Sequence, residues 1–281
     1  MRIVSTELIE KEVERLFIDA NYILPDSLSR CIERSVIDED NALASSVLNK
    51  LSDNLKAAIE IGVPVCQDTG MAVLFAEIGN EVYLEGKPFE DAVNDGVAKA
   101  YVNGYLRKSI VADPVFDRTN TDTNTPAVIH TKIVPGDKIK LTAAPKGFGS
   151  ENMSAIRMFT PSATVDDIVE FIVDTVKKAG GNPCPPIVVG VGIGGDFEYC
   201  AYLAKKALTR DIDSSNSDRN YKNMEQAVLN KINELGIGPQ GFGGKTTALA
   251  VNIEAFPTHI AGLPVAVNIG CHVTRHKSCT I

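Results

Sequence analysis

Pro64-Val65-Cys66-Gln67-Asp68-Thr69-Gly70 sets a soft metal ligand, an amide, a carboxylate and a hydroxyl in succession, between a helical pattern and a strand pattern. A thiolate can hold a metal, and a carboxylate beside it can take or give a proton. The same letters also spell an ordinary helix-to-strand turn, whose Asp and Thr bond the local backbone and whose Cys is buried. Two further cysteines share this setting. Cys184 stands on the stiff frame Asn182-Pro183-Cys184-Pro185-Pro186, and Cys271 follows Gly270 after the run LeuProValAlaValAsnIle. Each of the three lies in a glycine- or proline-marked turn beside an apolar strand pattern, which favours one site assembled from distant loops. Cys184 equally suits buried filler.

Widely separated single cysteines are unlike the paired spacing of a zinc ribbon and the clustered runs of ferredoxins, so spacing alone is weak evidence for a metal. If the three share a site, their thiolates can anchor an iron–sulfur cluster that ordinarily takes four, which leaves one iron open as a Lewis acid for a hydroxyl. The turn that binds the cluster then delivers Gln67 and Asp68 to a substrate, and an arginine such as Arg107 can pair a carboxylate bidentately. Cys31 and Cys200 fall in helical patterns and read as core.

Three glycine-bearing segments need weighing. Lys146-Gly147-Phe148-Gly149-Ser150-Glu151-Asn152 allows close backbone approach to a ligand, or is a plain strand-to-helix connection. Gly190, Gly192 and Gly195 fit the G-x-G-x-x-G dinucleotide spacing, but the stretch after the next helix, AspIleAspSerSerAsnSerAspArgAsn, contains no second strand ending in an acidic residue. Around Lys245 the phosphate-loop pattern fails in register, because its first glycine would fall on Pro239.

The elements that must position these residues follow from periodicity. The first sixty residues read as two or three amphipathic helices, with Ile9, Val13, Leu16, Phe17 and Ala20 on one face. Strand patterns follow Gly70, a helix is expected over roughly 88–106, and residues 111–127 form a long loop. AVIHTKIV and KIKLTAA, separated by Pro135-Gly136-Asp137, suggest a hairpin. Thr164 and Asp167 make a capping box for a helix running to Gly180. Further helices are expected over about 196–208 and 222–235, then two strands with His259 in the turn between them. The fold class is α+β: an N-terminal helical segment, then mixed helices and β-sheet around loops that converge on a cluster site.

Composition bounds the function. The chain has 281 residues, 44% hydrophobic and 23% charged, with net charge −8. That acidic balance argues against nucleic acid or an anionic membrane as partner. Glu7, Glu10 and Glu12 interrupt any leader, no window nears the roughly 18 apolar residues of a span, and six cysteines are too sparse for a secreted disulfide scaffold. A cytoplasmic protein with reduced thiols is expected.

PVCQDTG, LRKSIV, KGFGSEN, NPCPPIVVGVGIGG, LGIGPQGFGGKTTAL and the tail from Cys271 to Lys277 together resemble the alpha subunit of two-subunit class I fumarate hydratases. That group also includes the L(+)-tartrate dehydratase alpha subunit. The resemblance spans most of the chain and implies one cluster-binding alpha-subunit domain over residues 1–281. It implies a [4Fe–4S] cluster on Cys66, Cys184 and Cys271, oxygen sensitivity, and reversible hydration of fumarate to (S)-malate, a step of the tricarboxylic acid cycle. Gln67 and Asp68 are implied to touch the substrate, with Asp68 handling a proton. Arg107 and the Gly149 backbone are implied to bind a substrate carboxylate. His259, twelve residues before Cys271, matches a histidine near the active site.

The resemblance further implies that the family's remaining substrate-binding arginine and lysine, and a threonine implicated in proton transfer, lie in a separate C-terminal region not expected in this chain. A beta subunit and a higher hetero-oligomer are therefore expected. Phe148 stands where the family often has a third glycine. The rival substrate is L(+)-tartrate. A non-catalytic metal or electron-transfer protein is the rival of another class, and it needs a fourth protein ligand, for which Cys279 or His272 are the candidates.

Overall fold

The computed structural model describes residues 1–281. In chain order the elements are β1 (Arg2–Ser5), α1 (Thr6–Tyr22), α2 (Asp26–Asp38), α3 (Ala42–Ile61), β2 (Val73–Gly79), β3 (Val82–Glu85), α4 (Phe89–Asn103), β4 (Val128–Val134), β5 (Ile139–Ala143), α5 (Phe148–Glu151), β6 (Ala155–Phe159) and α6 (Val165–Ala179). Then come β7 (Ile187–Gly195), α7 (Phe197–Ala207), α8 (Arg219–Asn233), a 3-10 turn at Pro239–Gly241, β8 (Ala248–Thr258), β9 (Leu263–Gly270) and β10 (Lys277–Thr280). The fold is α+β. No helix is long and apolar enough to cross a membrane.

The chain packs as two compact units, and neither is continuous in sequence. The first comprises Met1–Pro25, Leu55–Phe148 and Arg275–Ile281; the second comprises Asp26–Asn54 and Gly149–Thr274. Each unit returns to earlier sequence, which is why no linker is visible along the chain.

In the first unit a four-stranded sheet runs β10-β5-β2-β4, and β1 pairs with β3 in parallel. The apolar face of α1, with Ile9, Val13, Leu16 and Phe17, packs with Val93, Val97, Ala100 and Tyr101 of α4 over Leu74, Ala76, Ile139 and Leu141 of the sheet. The expected β4–β5 hairpin is not formed, because β2 lies between the two strands, parallel to β4 and antiparallel to β5. β2 and β3 fall in different sheets.

The second unit has the sheet β6-β9-β7-β8, with β7 parallel to β8 and antiparallel to β9. Its inner strands are almost wholly buried because helices cover both faces, hence their largely apolar sequences. Val189, Val191 and Ile193 point to α6 and α8. Alternation sends Gly190 and Gly192 to the other face, against α7. A Cβ on Gly190 would stand 2.2 Å from the Ala204 carbonyl oxygen, and one on Gly192 2.0 Å from that of Cys200. The dinucleotide-like spacing thus serves close helix-on-strand packing.

Candidate active site

The Cys66 turn leaves α3 at Ile61 and enters β2 at Val73, and hydrogen bonds fix it on several sides. Asp68 Oδ1 accepts from Gly70 N at 3.1 Å and Oδ2 from Phe148 N at 2.9 Å. Thr69 Oγ1 donates to the Arg107 carbonyl at 3.1 Å. The bland reading of this turn therefore holds in part, since Asp68 and Thr69 do bond backbone. One of the Asp68 bonds, however, comes from a residue eighty positions on. That contact sets the carboxylate against the KGFG segment, where a Cβ on Gly147 would crowd Asp68 Oδ2 at 3.1 Å. Phe148 contributes its amide, which needs no glycine, while its ring is half-exposed.

Carbonyl acceptors behind the turn are also taken. The buried Tyr101 hydroxyl lies 2.9 Å from Thr69 O and 2.7 Å from Gly70 O, and Asn124 Nδ2 donates to Gly70 O at 3.2 Å. Burial pushes the Tyr101 hydroxyl well above the ordinary tyrosine range, with Arg275 opposing that rise, so it remains a donor. Arg275 Nη2 donates to Asp68 O. Cys66 is partly exposed, and the side chains of Gln67 and Arg107 are exposed.

In the second unit, Cys184 precedes β7 and Cys271 follows β9, so both lie at the sheet end where Val188 pairs with Gly270. The two loops are joined directly. His272 N donates to the Cys184 carbonyl at 3.3 Å, and His272 Nδ1 lies 3.0 Å from the same oxygen. Gln240 donates to the Pro185 carbonyl from both its backbone N and Nε2, each at 2.7 Å. Cys184 is exposed and has φ +56°, a left-handed conformation unusual for a residue with a side chain. Cys271 is partly exposed, and its carbonyl accepts from Thr274 N and Oγ1 at 3.0 and 2.7 Å. Gly149 is exposed at the start of its stretch, with no atom nearer than 3.9 Å to a Cβ built there.

His259 is placed elsewhere. It is exposed in the connection between β8 and β9, at the end of the sheet where Gly195 pairs with Thr258. Cys184 and Cys271 lie at the opposite end of β7 and β9, roughly 25 Å away at about 3.3 Å per strand residue. The second unit thus joins the Cys184 and Cys271 loops and leaves His259 apart.

The other thiols are engaged in packing. Cys200 is fully buried on α7, and burial raises its pKa, as it does for Cys31 and Cys279. Cys279 sits on β10 opposite Leu141, a poor position for a fourth ligand. Lys245 donates to the Asp38 carbonyl at 3.3 Å and pairs with the Asp40 carboxylate, so it anchors its loop to the end of α2. A cavity of about 830 Å³ between β6 and α6, lined by Ser154, Arg157, Asp167 and Lys178 among others, includes none of the sequence-derived site residues. No three His, Cys, Asp or Glu side chains are gathered as for a single metal ion.

One unit thus holds both Asp68 carboxylate oxygens with backbone N–H groups, and the other joins the Cys184 and Cys271 loops through His272. The family described as fumarate hydratase (Fumerase) matches residues 10–280. The chain belongs to this family, and with it to the hydro-lyases, which add water to a double bond or remove it. A Methanocaldococcus jannaschii protein, provisionally named L(+)-tartrate dehydratase subunit alpha, is 39% identical over 271 residues, 95% of each chain. The L(+)-tartrate dehydratase subunit alpha of Escherichia coli K12 is 30% identical over 262 residues, 92% of this chain and 86% of its own length.

Proposed function

We propose that this chain is the cluster-bearing alpha subunit of a hydro-lyase that, together with a beta subunit, converts fumarate reversibly to (S)-malate. The observation that carries the reading is the Cys66–Asp68 turn, where a carboxylate oriented by two backbone N–H groups stands two residues from a partly exposed thiol. Cys66, Cys184 and Cys271 are the residues that would hold a [4Fe–4S] cluster. The donor chemistry fits: all three are loop thiols outside any disulfide, whereas Cys200 and Cys279 are committed to packing. When bound, the cluster supplies a Lewis-acidic iron for the hydroxyl end of the substrate.

The chain's own residues do the rest. Asp68 takes a proton from the carbon next to a carboxylate in dehydration and returns it in hydration. Arg107 pairs a substrate carboxylate, Gln67 bonds a substrate oxygen from beside Asp68, and the Gly149 N–H adds a donor. Removing that proton builds charge on the neighbouring carboxylate, which calls for more cations than Arg107 alone. The beta subunit supplies them in this reading, which is supported by relatives named as alpha subunits. His259, an exposed residue remote from Cys184 and Cys271, takes no step in this reading.

The test is a fumarate hydration assay of the complex assembled anaerobically with its beta subunit. Activity from the complex and from neither chain alone supports the reading; full activity from this chain alone overturns the division of labour. A second reading, dehydration of L(+)-tartrate, is favoured by the names of the relatives. The ratio of turnover on fumarate and L(+)-tartrate by the same complex decides between them.

A further inference from the structure

Three successive carbonyls of the catalytic turn are held by buried side chains. Thr69 and Gly70 use the neutral donors Tyr101 and Asn124. Asp68 O instead receives Nη2 of Arg275, a charged side chain in a residue only 4% exposed. Its Nε and Nη1 are buried and have no hydrogen-bond acceptor. A neutral donor meets the needs of a carbonyl, as the next two positions show. Burying a guanidinium that leaves two nitrogens unsatisfied is costly, so its presence needs a compensating role. The turn it grips carries a carboxylate and a metal-ligating thiol, both anionic when functional.

We propose that Arg275 is a positioning residue for Asp68. Its hydrogen bond fixes the Asp68 main chain from behind, while Gly70 N and Phe148 N fix the carboxylate in front. Its charged donor thus stands at the backbone of the turn, at the Asp68 carbonyl. The inference rests on the hydro-lyase reading for its catalytic meaning, and on the structure alone for its mechanical one.

The test compares Arg275→Lys, which keeps a charged donor, with Arg275→Met, which keeps neither charge nor donor. Amide hydrogen exchange on the full chain needs no activity. Arg275→Met is expected to speed exchange in residues 66–70 at least tenfold while leaving β2 and α4 protected, and Arg275→Lys is expected to restore most of the protection. In the assembled holoenzyme, Arg275→Met is expected to lower kcat ten- to a hundredfold, with KM within about threefold and iron content unchanged. Wild-type exchange and kcat in Arg275→Met overturn the proposal. So does loss of protection throughout the first unit that Arg275→Lys fails to repair, which marks a merely structural role. An inactive wild-type complex with the expected exchange pattern counts against the hydro-lyase reading and leaves the mechanical assignment standing.

Discussion

Asp68 receives a backbone N–H on each oxygen, one from its own turn and one from Phe148. Replacement by Asn keeps the shape and removes the proton acceptor. Asp68→Asn is therefore expected to lower kcat by about 10²–10⁴ and, because an amide keeps one acceptor oxygen and turns its NH2 against the other backbone N–H, to cost about 1–3 kcal/mol of stability, both measured on the assembled complex. The thiols separate by environment. Iodoacetamide mapping by mass spectrometry is expected to label exposed Cys184 first and fully buried Cys200 last; equal labelling of the two contradicts the placement. Cys66, Gln67 and Asp68 stand out in the sequence because unlike reactive groups are adjacent. Arg275 does not, since CysHisValThrArgHisLys reads as a basic tail and burial of one arginine leaves no periodic trace.

At the scale of elements, α6 was legible to its first residue. Thr164 accepts from Asp167 N at 3.2 Å, and the Asp167 carboxylate accepts from Thr164 N at 2.7 Å. Thr164→Ala is expected to cost about 1 kcal/mol, read as a lowered Tm. The strand neighbours were less legible, for a physical reason. Local turn chemistry suggests β4 and β5 as partners, but β2 enters between them from fifty residues upstream, and non-local pairing leaves no mark in either strand. Gly190, Gly192 and Gly195 show the converse: the spacing was visible and its purpose was not, because close approach of α7 and a phosphate-binding turn both require glycine. Gly192→Ala places a methyl 2.0 Å from a backbone carbonyl, an overpacking expected to cost about 1–3 kcal/mol. Urea unfolding checks it, and an unchanged midpoint contradicts the packing account.

For the whole molecule, the two discontinuous units explain why the expected single domain shows no internal boundary in sequence. One charge cluster sets an acid dependence. Hydrogen bonds from Lys87 and Lys99 hold the Glu10 carboxyl below the usual carboxylate range. A depressed folded pKa gives stability that is present above the unfolded value, about 4.3, and is lost as pH falls through the folded value. Glu10→Gln is thus expected to be less stable than wild type at pH 7, with the difference shrinking on acidification below pH 4; a constant gap in urea midpoints contradicts this.

The central claim is that Cys66, Cys184 and Cys271 hold one cluster in a hydro-lyase completed by a beta subunit. Iron and acid-labile sulfide counts on the anaerobically reconstituted complex, taken beside its hydratase rate, test that claim most directly. The account predicts about four irons and four sulfides per chain, with activity, and loss of both in Cys184→Ser. Full iron content and activity in Cys184→Ser would contradict it.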